Sequence, residues 1–284
     1  MRRHAERRQE PATRIDIAGI LAERSPTLHR RLSPLGLRVL RLIAHERRLN
    51  AVTQRTGHLD AASFVDTILR RLDITVRVEG VEHLARARRP VVCSNHPSGA
   101  IEGLALMSAL WRHAGGCLVP ANDLLCLLAP LAPIIVPVRH GALSRASAEG
   151  FSAAFGGESP ILVFPAGVTA REYGGRLRES PWRASFVTRA RATGRDLLPV
   201  AVSGRNSRVF YAIHKIRRVL GVRLNVEMAM LVHEMFRRRG DTVIARFLAP
   251  HRSGGDEGPD RHADQLLASE IQARVEREAA GLRP

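Results

Sequence analysis

Short apolar runs that stop abruptly at Asn, Pro or Gly, with helical periodicity between them, constrain this chain most. Val91–Ser94 runs into Asn95-His96-Pro97, Ile161–Phe164 into Pro165-Ala166-Gly167, and Leu197–Val202 into Ser203-Gly204. Runs that are so short and so continuously apolar read as strands covered on both faces of a sheet. Ile74–Val78, Ile134–Val138 and Val243–Leu248 read as further strands, and helices are predicted over Ile101–His113, Ser144–Phe155 and Phe186–Ala192. Strands that alternate with helices predict an α/β fold, a layered and mostly parallel sheet flanked by helices.

Ahead of the first strand, Leu35, Val39, Leu42 and Ile43 repeat at helical spacing beside Arg38 and Arg41, and Phe64, Val65, Ile68, Leu69 and Leu72 form a second apolar stripe. Two amphipathic helices are therefore expected there, the first able either to pack on the sheet or to lie at a membrane interface. The expected organisation is a disordered basic tail over 1–14, a helical region over 15–73, an α/β core over 74–250, and a linker with a C-terminal helix marked by Leu267, Ile271 and Val275 over 251–284, forming one domain overall. The Arg-rich start lacks the apolar stretch of a secretion signal, and the longest apolar run, Leu124 to Val138, is broken by Pro130, Pro133 and Pro137. No bilayer-spanning segment is expected, since one needs about 20 apolar residues.

The chemistry concentrates in VVCSNHPSGAIEGLAL. An apolar strand delivers His96, and Glu102 follows six positions on. A histidine at a strand end with a carboxylate on the next helical turn can act as a general base held in one orientation, Glu102 accepting a hydrogen bond from one ring nitrogen while the other takes the substrate's proton. Glu102 has a second reading, as an acid complementing the dipole at a helix N-terminus. The spacing does not suit a metal, because no second placed histidine accompanies it. Cys93, in the strand itself, reads as a buried thiol, not a nucleophile. No G-x-S-x-G elbow occurs, and Ser94 and Ser98 read as turn or cap residues.

Further along the chain stand Ala121-Asn122-Asp123-Leu124-Leu125, Phe164-Pro165-Ala166-Gly167 and Leu198-Pro199-Val200. With NHPSGAIEG, SPWRASFV and GRNSRVFY, these blocks resemble the glycerolipid acyltransferase superfamily from about Ile15 to Pro250. More narrowly they are similar to a bacterial branch labelled hemolysin-like, which includes enzymes that acylate glycine or ornithine to make aminolipids. The resemblance implies transfer of a fatty acyl chain from an acyl carrier protein or coenzyme A thioester to a polar acceptor, either a lysophospholipid hydroxyl or an amino-acid amine, with no bound cofactor. It implies His96 and Glu102 as the catalytic pair, with Asn95 and Gly99 as substrate-binding residues beside them and Asn122 and Asp123 as acceptor-binding residues. Phe164, Pro165 and Gly167 form a turn whose exposed N–H groups suit phosphate or oxyanion, and Arg171 would grip an anionic group. Arg205 and Asn206, at a strand's carboxyl end, would hold a head group or simply make a turn.

The chain departs from the superfamily pattern in two places. Most members carry an aspartate five positions after the histidine, where this chain has Ile101, and Glu102 is one methylene longer than the residue usual in the similar branch. Ala166 stands where the wider superfamily has Glu.

The net charge of +17 is almost entirely arginine, Lys215 being the only lysine, and it is compatible with an anionic lipid surface or an acidic carrier. Nucleic acid is the poorer partner: aromatic residues make up only 4% and no groove-reading motif is visible. The protein is expected on the cytoplasmic face of the inner membrane, bound peripherally, with a non-catalytic binding module as the alternative to an enzyme.

Overall fold

The computed structural model describes residues 14–138, 145–173, 176–219, 227–252 and 260–283. The basic tail before Arg14 and most of the expected linker after His251 lie outside the described residues.

Nine strands are described: β1 Thr75–Glu79, β2 Val91–Ser94, β3 Val119–Asn122, β4 Ile135–Val138, β5 Ile161–Val163, β6 Arg171–Tyr173, β7 Arg176–Arg178, β8 Leu197–Val202 and β9 Thr242–Phe247. The main sheet has the order β1-β9-β8-β2-β5. Its pairs are parallel except β8 with β9. β3 and β4 form a parallel pair that a parallel bridge from Leu118 to Ile161 joins to the β5 edge. The carboxyl ends of β2, β3, β5 and β8 therefore lie along one edge, where α/β folds place their ligands.

Strand alternation sorts the core into two layers. Val92, Leu162, Leu198, Val200 and Val202 face helices α5 (Ala61–Arg71) and α7 (Ile101–Ala114), packing on Phe64, Ile68, Leu106 and Leu110. Val91, Cys93, Ile161, Val163 and Ala201 face helices α9 (Ser185–Ala192) and α12 (Arg261–Gly281), packing on Phe186, Val187, Ile271 and Val275. A sheet covered on both faces needs apolar residues at every position, and β2, β5 and β8 are buried throughout. Cys93 is wholly buried and burial pushes its thiol far up, so no reactive thiolate forms there.

The N-terminal region contains five helices, not two: α1 Ile17–Arg24, α2 Pro26–Arg31, α3 Pro34–Ile43, α4 Glu46–Thr56 and α5. α4, ERRLNAVTQRT, is too polar to show an apolar stripe, and its Glu46 holds α1 and α3 together, accepting from Ile17 N at 3.2 Å and from Arg41 at 2.6 Å. Strand β3 escaped sequence reading because it contains Pro120, a poor strand residue that survives here next to the short β4. Helices α6 (Glu82–Arg86), α8 (Arg145–Gly156), α10 (Arg208–Val219) and α11 (Glu227–Arg237) complete the described helices. Among the described residues no helix is long and apolar enough to cross a membrane.

Arginine is used inside the fold as well as on it. Arg195 is fully buried and donates to the carbonyls of Phe155 at 2.7 Å, Ala154 at 3.1 Å, Ser159 at 3.0 Å and Arg89 at 3.0 Å, and also to Gly157. These oxygens include the unpaired carbonyls at the end of α8, where helix partial charge is negative. Arg195→Met is expected to lower unfolding free energy by about 3 kcal/mol or more, because several carbonyls are left buried without donors. Urea denaturation checks this, and a loss below about 1 kcal/mol would mean the helix end needs no buried cation.

Candidate active site

The site begins where β2 ends. Asn95 turns its side-chain amide onto β8, donating from Nδ2 to Val202 O at 2.9 Å and accepting at Oδ1 from Val202 N at 2.7 Å. The amide thus continues the ladder with its side chain, and the backbone is free to leave the sheet. His96 N donates to Glu179 Oε1, and His96 O accepts from Ala170 N at 2.9 Å, so the residue is pinned on both sides. Gly99 follows with φ of 97°; a Cβ there would lie 2.6 Å from Thr169 Cγ2 and 2.9 Å from Leu231 Cδ2, so only glycine lets the turn close. Helix α7 then starts at Ile101 and brings Glu102 back beneath the histidine.

Glu102 is wholly buried, and its Oε1 lies 3.1 Å from His96 Nδ1. The contact is close but lies off the line of a ring N–H at Nδ1. Oε1 also accepts from Ser98 N at 2.8 Å and Gly99 N at 2.5 Å, and Oε2 accepts from Ser98 Oγ. Burial alone would raise this carboxyl; the contact and charge of His96, with the Gly99 and Ser98 donors, outweigh it and hold the group down at about 2. Both sequence readings of Glu102 therefore coexist in the geometry: it satisfies N–H groups at the mouth of α7 and it faces the histidine. The His96 ring packs on Phe164, centroids 4.2 Å apart, and its side chain retains 17% exposure, enough to meet a substrate.

Beneath the histidine lies a second carboxyl. Glu179 Oε2 accepts from Trp182 Nε1 at 2.8 Å while Oε1 takes the His96 N–H, and Trp182 is tied to α12 through Gln272 and Gln265 at 2.9 Å each. Burial pushes Glu179 up to about 7, against the downward pull of its two hydrogen bonds and the His96 charge. Sequence reasoning missed Glu179, although it directly precedes the SPWRASFV block. It also missed Arg238, only 5% exposed, which donates from Nη1 to Ser98 Oγ at 2.9 Å. Ser98, read as a turn residue, is the link between that arginine and Glu102.

The other expected residues are placed as follows. Phe164 lies against the histidine and Pro165 is buried next to it in the chain, while the exposed Gly167, with φ of 68°, closes the turn through its N–H on Phe164 O at 2.9 Å. Arg171 is buried with Nη1 on Thr169 O at 2.8 Å and on Thr169 Oγ1, its guanidinium over the Phe210 ring. Arg205 is exposed and lines a cavity of about 450 Å³ with Arg208, Tyr211, Lys215 and Glu172. Asn206 is buried with both side-chain polar atoms unpartnered, while its backbone N–H donates to the Tyr211 hydroxyl at 2.9 Å. Asn122 caps the short 3-10 turn through Leu124 N, and Asp123 pairs with Arg24 at 2.8 Å, tying the N-terminal helices to the end of β3. Both polar ends of Asn95 are engaged with Val202, so it shapes the strand end. Among the described residues no cluster of His, Cys, Asp and Glu could hold a metal ion.

A partly exposed histidine backed by a buried acid, set at the carboxyl edge of a covered sheet, is an arrangement able to draw a proton from a substrate. Residues 19–261 match the family described as Acyltransferase. Lyso-glycine lipid O-acyltransferase from Phocaeicola vulgatus is 32% identical over 230 residues, covering 80% of this chain and 82% of that protein. The protein of the same name from Bacteroides thetaiotaomicron is 31% identical over 238 residues, covering 83% and 88%. Among solved structures, the 1-acyl-sn-glycerophosphate (LPA) acyltransferase of Thermotoga maritima aligns with 86% of this chain and 97% of its own at a TM-score of 0.42 and 17% identity. The chain belongs to this acyltransferase family and is an acyltransferase.

Glu179 makes stability pH-dependent in a definite direction. An unfolded glutamate titrates at 4.5 and the folded one near 7, so between those values the folded state keeps a proton that the unfolded state has lost. Stability then falls as pH rises through that window. In Glu179→Gln this fall disappears, so the variant should gain on the wild type between about pH 4.5 and 7. Melting temperatures of both proteins across that range test it, and parallel curves would count against the assignment.

Proposed function

We propose that the protein transfers a fatty acyl chain from a thioester of acyl carrier protein or coenzyme A to the hydroxyl of a lyso-form amino-acid lipid. The observation that carries the reading is the His96–Glu102 pair, with the ring still open to a substrate. The names of the two relatives favour the hydroxyl over the amine as the acceptor.

In this reading the acceptor oxygen loses its proton to His96 Nε2 as it attacks the thioester carbonyl. Glu102 faces Nδ1 and stabilises the imidazolium that forms. Collapse of the tetrahedral intermediate breaks the C–S bond, and the imidazolium returns the proton to the departing thiolate. The ester forms without an acyl-enzyme, and no metal or redox step is needed to balance it. Arg171 beside the FPAG turn, and the cavity carrying Arg205, Arg208 and Lys215, offer positive charge to a phosphate or a carboxylate head group.

Attachment to an anionic membrane from one side fits the same picture. Leu35 and Leu42 of α3 are 71% and 74% exposed in a protein of net charge +17. High salt should release the protein from vesicles containing anionic lipid, since screening weakens such attraction. Retention that yields only to detergent would mean deeper insertion.

Purified protein should acylate lyso-glycine lipid when given a palmitoyl thioester, and cells lacking the gene should accumulate the lyso form by lipid mass spectrometry. Absence of product with both carrier-protein and coenzyme A thioesters overturns the reading. His96→Ala is expected to lower turnover by roughly two to four orders of magnitude with the fold intact. Glu102→Gln, which keeps shape but removes charge, should cost about one to four orders in kcat, while Glu102→Asp retains substantial activity. A Gln variant that is slightly less stable but fully active would reduce Glu102 to a helix cap.

A further inference from the structure

Helix α11 and the turn after it bring Leu231 and Arg238 to the catalytic turn and Glu234 to the start of α10. Leu231 packs on Gly99, Glu234 accepts from Ser207 N at 2.8 Å and Ser207 Oγ at 2.5 Å, and Arg238 in the turn after the helix reaches Ser98. Arg238 is held at a second point as well. Its Nε pairs with Asp241 at 2.8 Å, just ahead of β9, and its guanidinium passes so close to Gly204 that a Cβ there would lie 2.9 Å from Nη1.

Hydrogen-bond direction gives the contact its meaning. A guanidinium only donates, so the Ser98 oxygen accepts from Arg238 and the single hydroxyl proton of Ser98 must point elsewhere. Glu102 Oε2 is the acceptor it meets. The order is therefore Arg238 to Ser98 to Glu102, with one possible sense. Oε1 is already occupied by the N–H groups of Ser98 and Gly99, so this second anchor is what stops the carboxylate from turning about its own axis.

We propose that Arg238 is a positioning residue for acyl transfer, acting through Ser98 to lock the Glu102 carboxylate in the orientation that faces His96 Nδ1. This rests on the reading of His96 as the general base. Arg238 touches no substrate in this scheme; its effect is to keep the base in one tautomer and one orientation, which acts on the chemical step and not on binding.

The test uses the full chain, lyso-glycine lipid and a palmitoyl thioester on whichever carrier the wild type accepts. Ser98→Ala and Arg238→Met should each lower kcat about 10- to 100-fold with KM within about threefold. The double variant should be no slower than the slower single by more than about threefold, because both remove the same unit. Arg238→Met should add little to a Glu102→Gln background, a coupling that a merely structural arginine would not show. Arg237→Met, its half-exposed neighbour, serves as control and should turn over at the wild-type rate. If Arg238→Met fails to fold by circular dichroism, Ser98→Ala decides alone, since it leaves the Arg238–Asp241 pair in place. Wild-type turnover in folded Ser98→Ala, with His96→Ala inactive, overturns the relay and leaves the base standing. Near wild-type turnover in His96→Ala removes the base and the relay together.

Discussion

A carboxylate with no solvent exposure is the constraint around which the active-site edge is arranged. Taking the Glu102 charge out of water costs several kcal/mol unless donors replace the lost hydration. The fold replaces it from three directions: two N–H groups at the mouth of α7, the Ser98 hydroxyl, and the His96 ring. Each donor depends on something larger. The N–H groups converge only because Gly99 adopts a backbone conformation that ordinary residues avoid, and the hydroxyl is oriented by an arginine from the far end of α11. The ring is held because Asn95 substitutes for a ladder residue on β8 and lets His96 leave the sheet where it does.

Arginine dominates the charge of this protein, and part of it performs internal work that surface charge counting conceals. Arg195 and Arg89 gather the carbonyls at the end of α8; Arg171 ties down Thr169 beside the histidine's backbone partner Ala170; Arg238 steadies Ser98. The guanidinium suits these places because its fork reaches several acceptors at once and is more weakly hydrated than an ammonium. Not every arginine can therefore be assigned to a membrane or an anionic substrate; Arg205 and Arg208, by contrast, are exposed at an open cavity.

Glu102 and Glu179 show how one local region sets two carboxyls apart. Glu102 has no solvent exposure and Glu179 is partly buried, and both accept N–H groups near His96. Glu102 also receives the ring of His96 and a hydroxyl, and stays ionised; Glu179 receives one backbone N–H and one indole N–H, and burial prevails. The number and charge of donors decide the outcome, since the more deeply buried of the two, Glu102, is the one that stays ionised. Glu179 also connects the histidine's backbone to α12 through Trp182, so the last helix of the chain supports the turn that carries the base.

The layered sheet was legible in the sequence because β2, β5 and β8 are covered on both faces and so must be apolar at every position; Val91–Ser94 and Leu197–Val202 coincide with the strands found. His96 and Glu102 were legible for a related reason, since a strand end and the following helical turn are joined by a few residues and their proximity is local. The short N-terminal helices and β3 were not, because α4 is polar and Pro120 is a poor strand former, and packing supplies what propensity lacks. Glu179 and Arg238 were beyond reach for a different reason. They stand 83 and 140 positions from their partners His96 and Ser98, and nothing in a run of charged residues marks which one will be drawn inside. The sequence by itself determined the layers, the edge and the pair that meets there; only the tertiary structure decided which distant charges would be buried against that pair, because that choice depends on where separate elements converge.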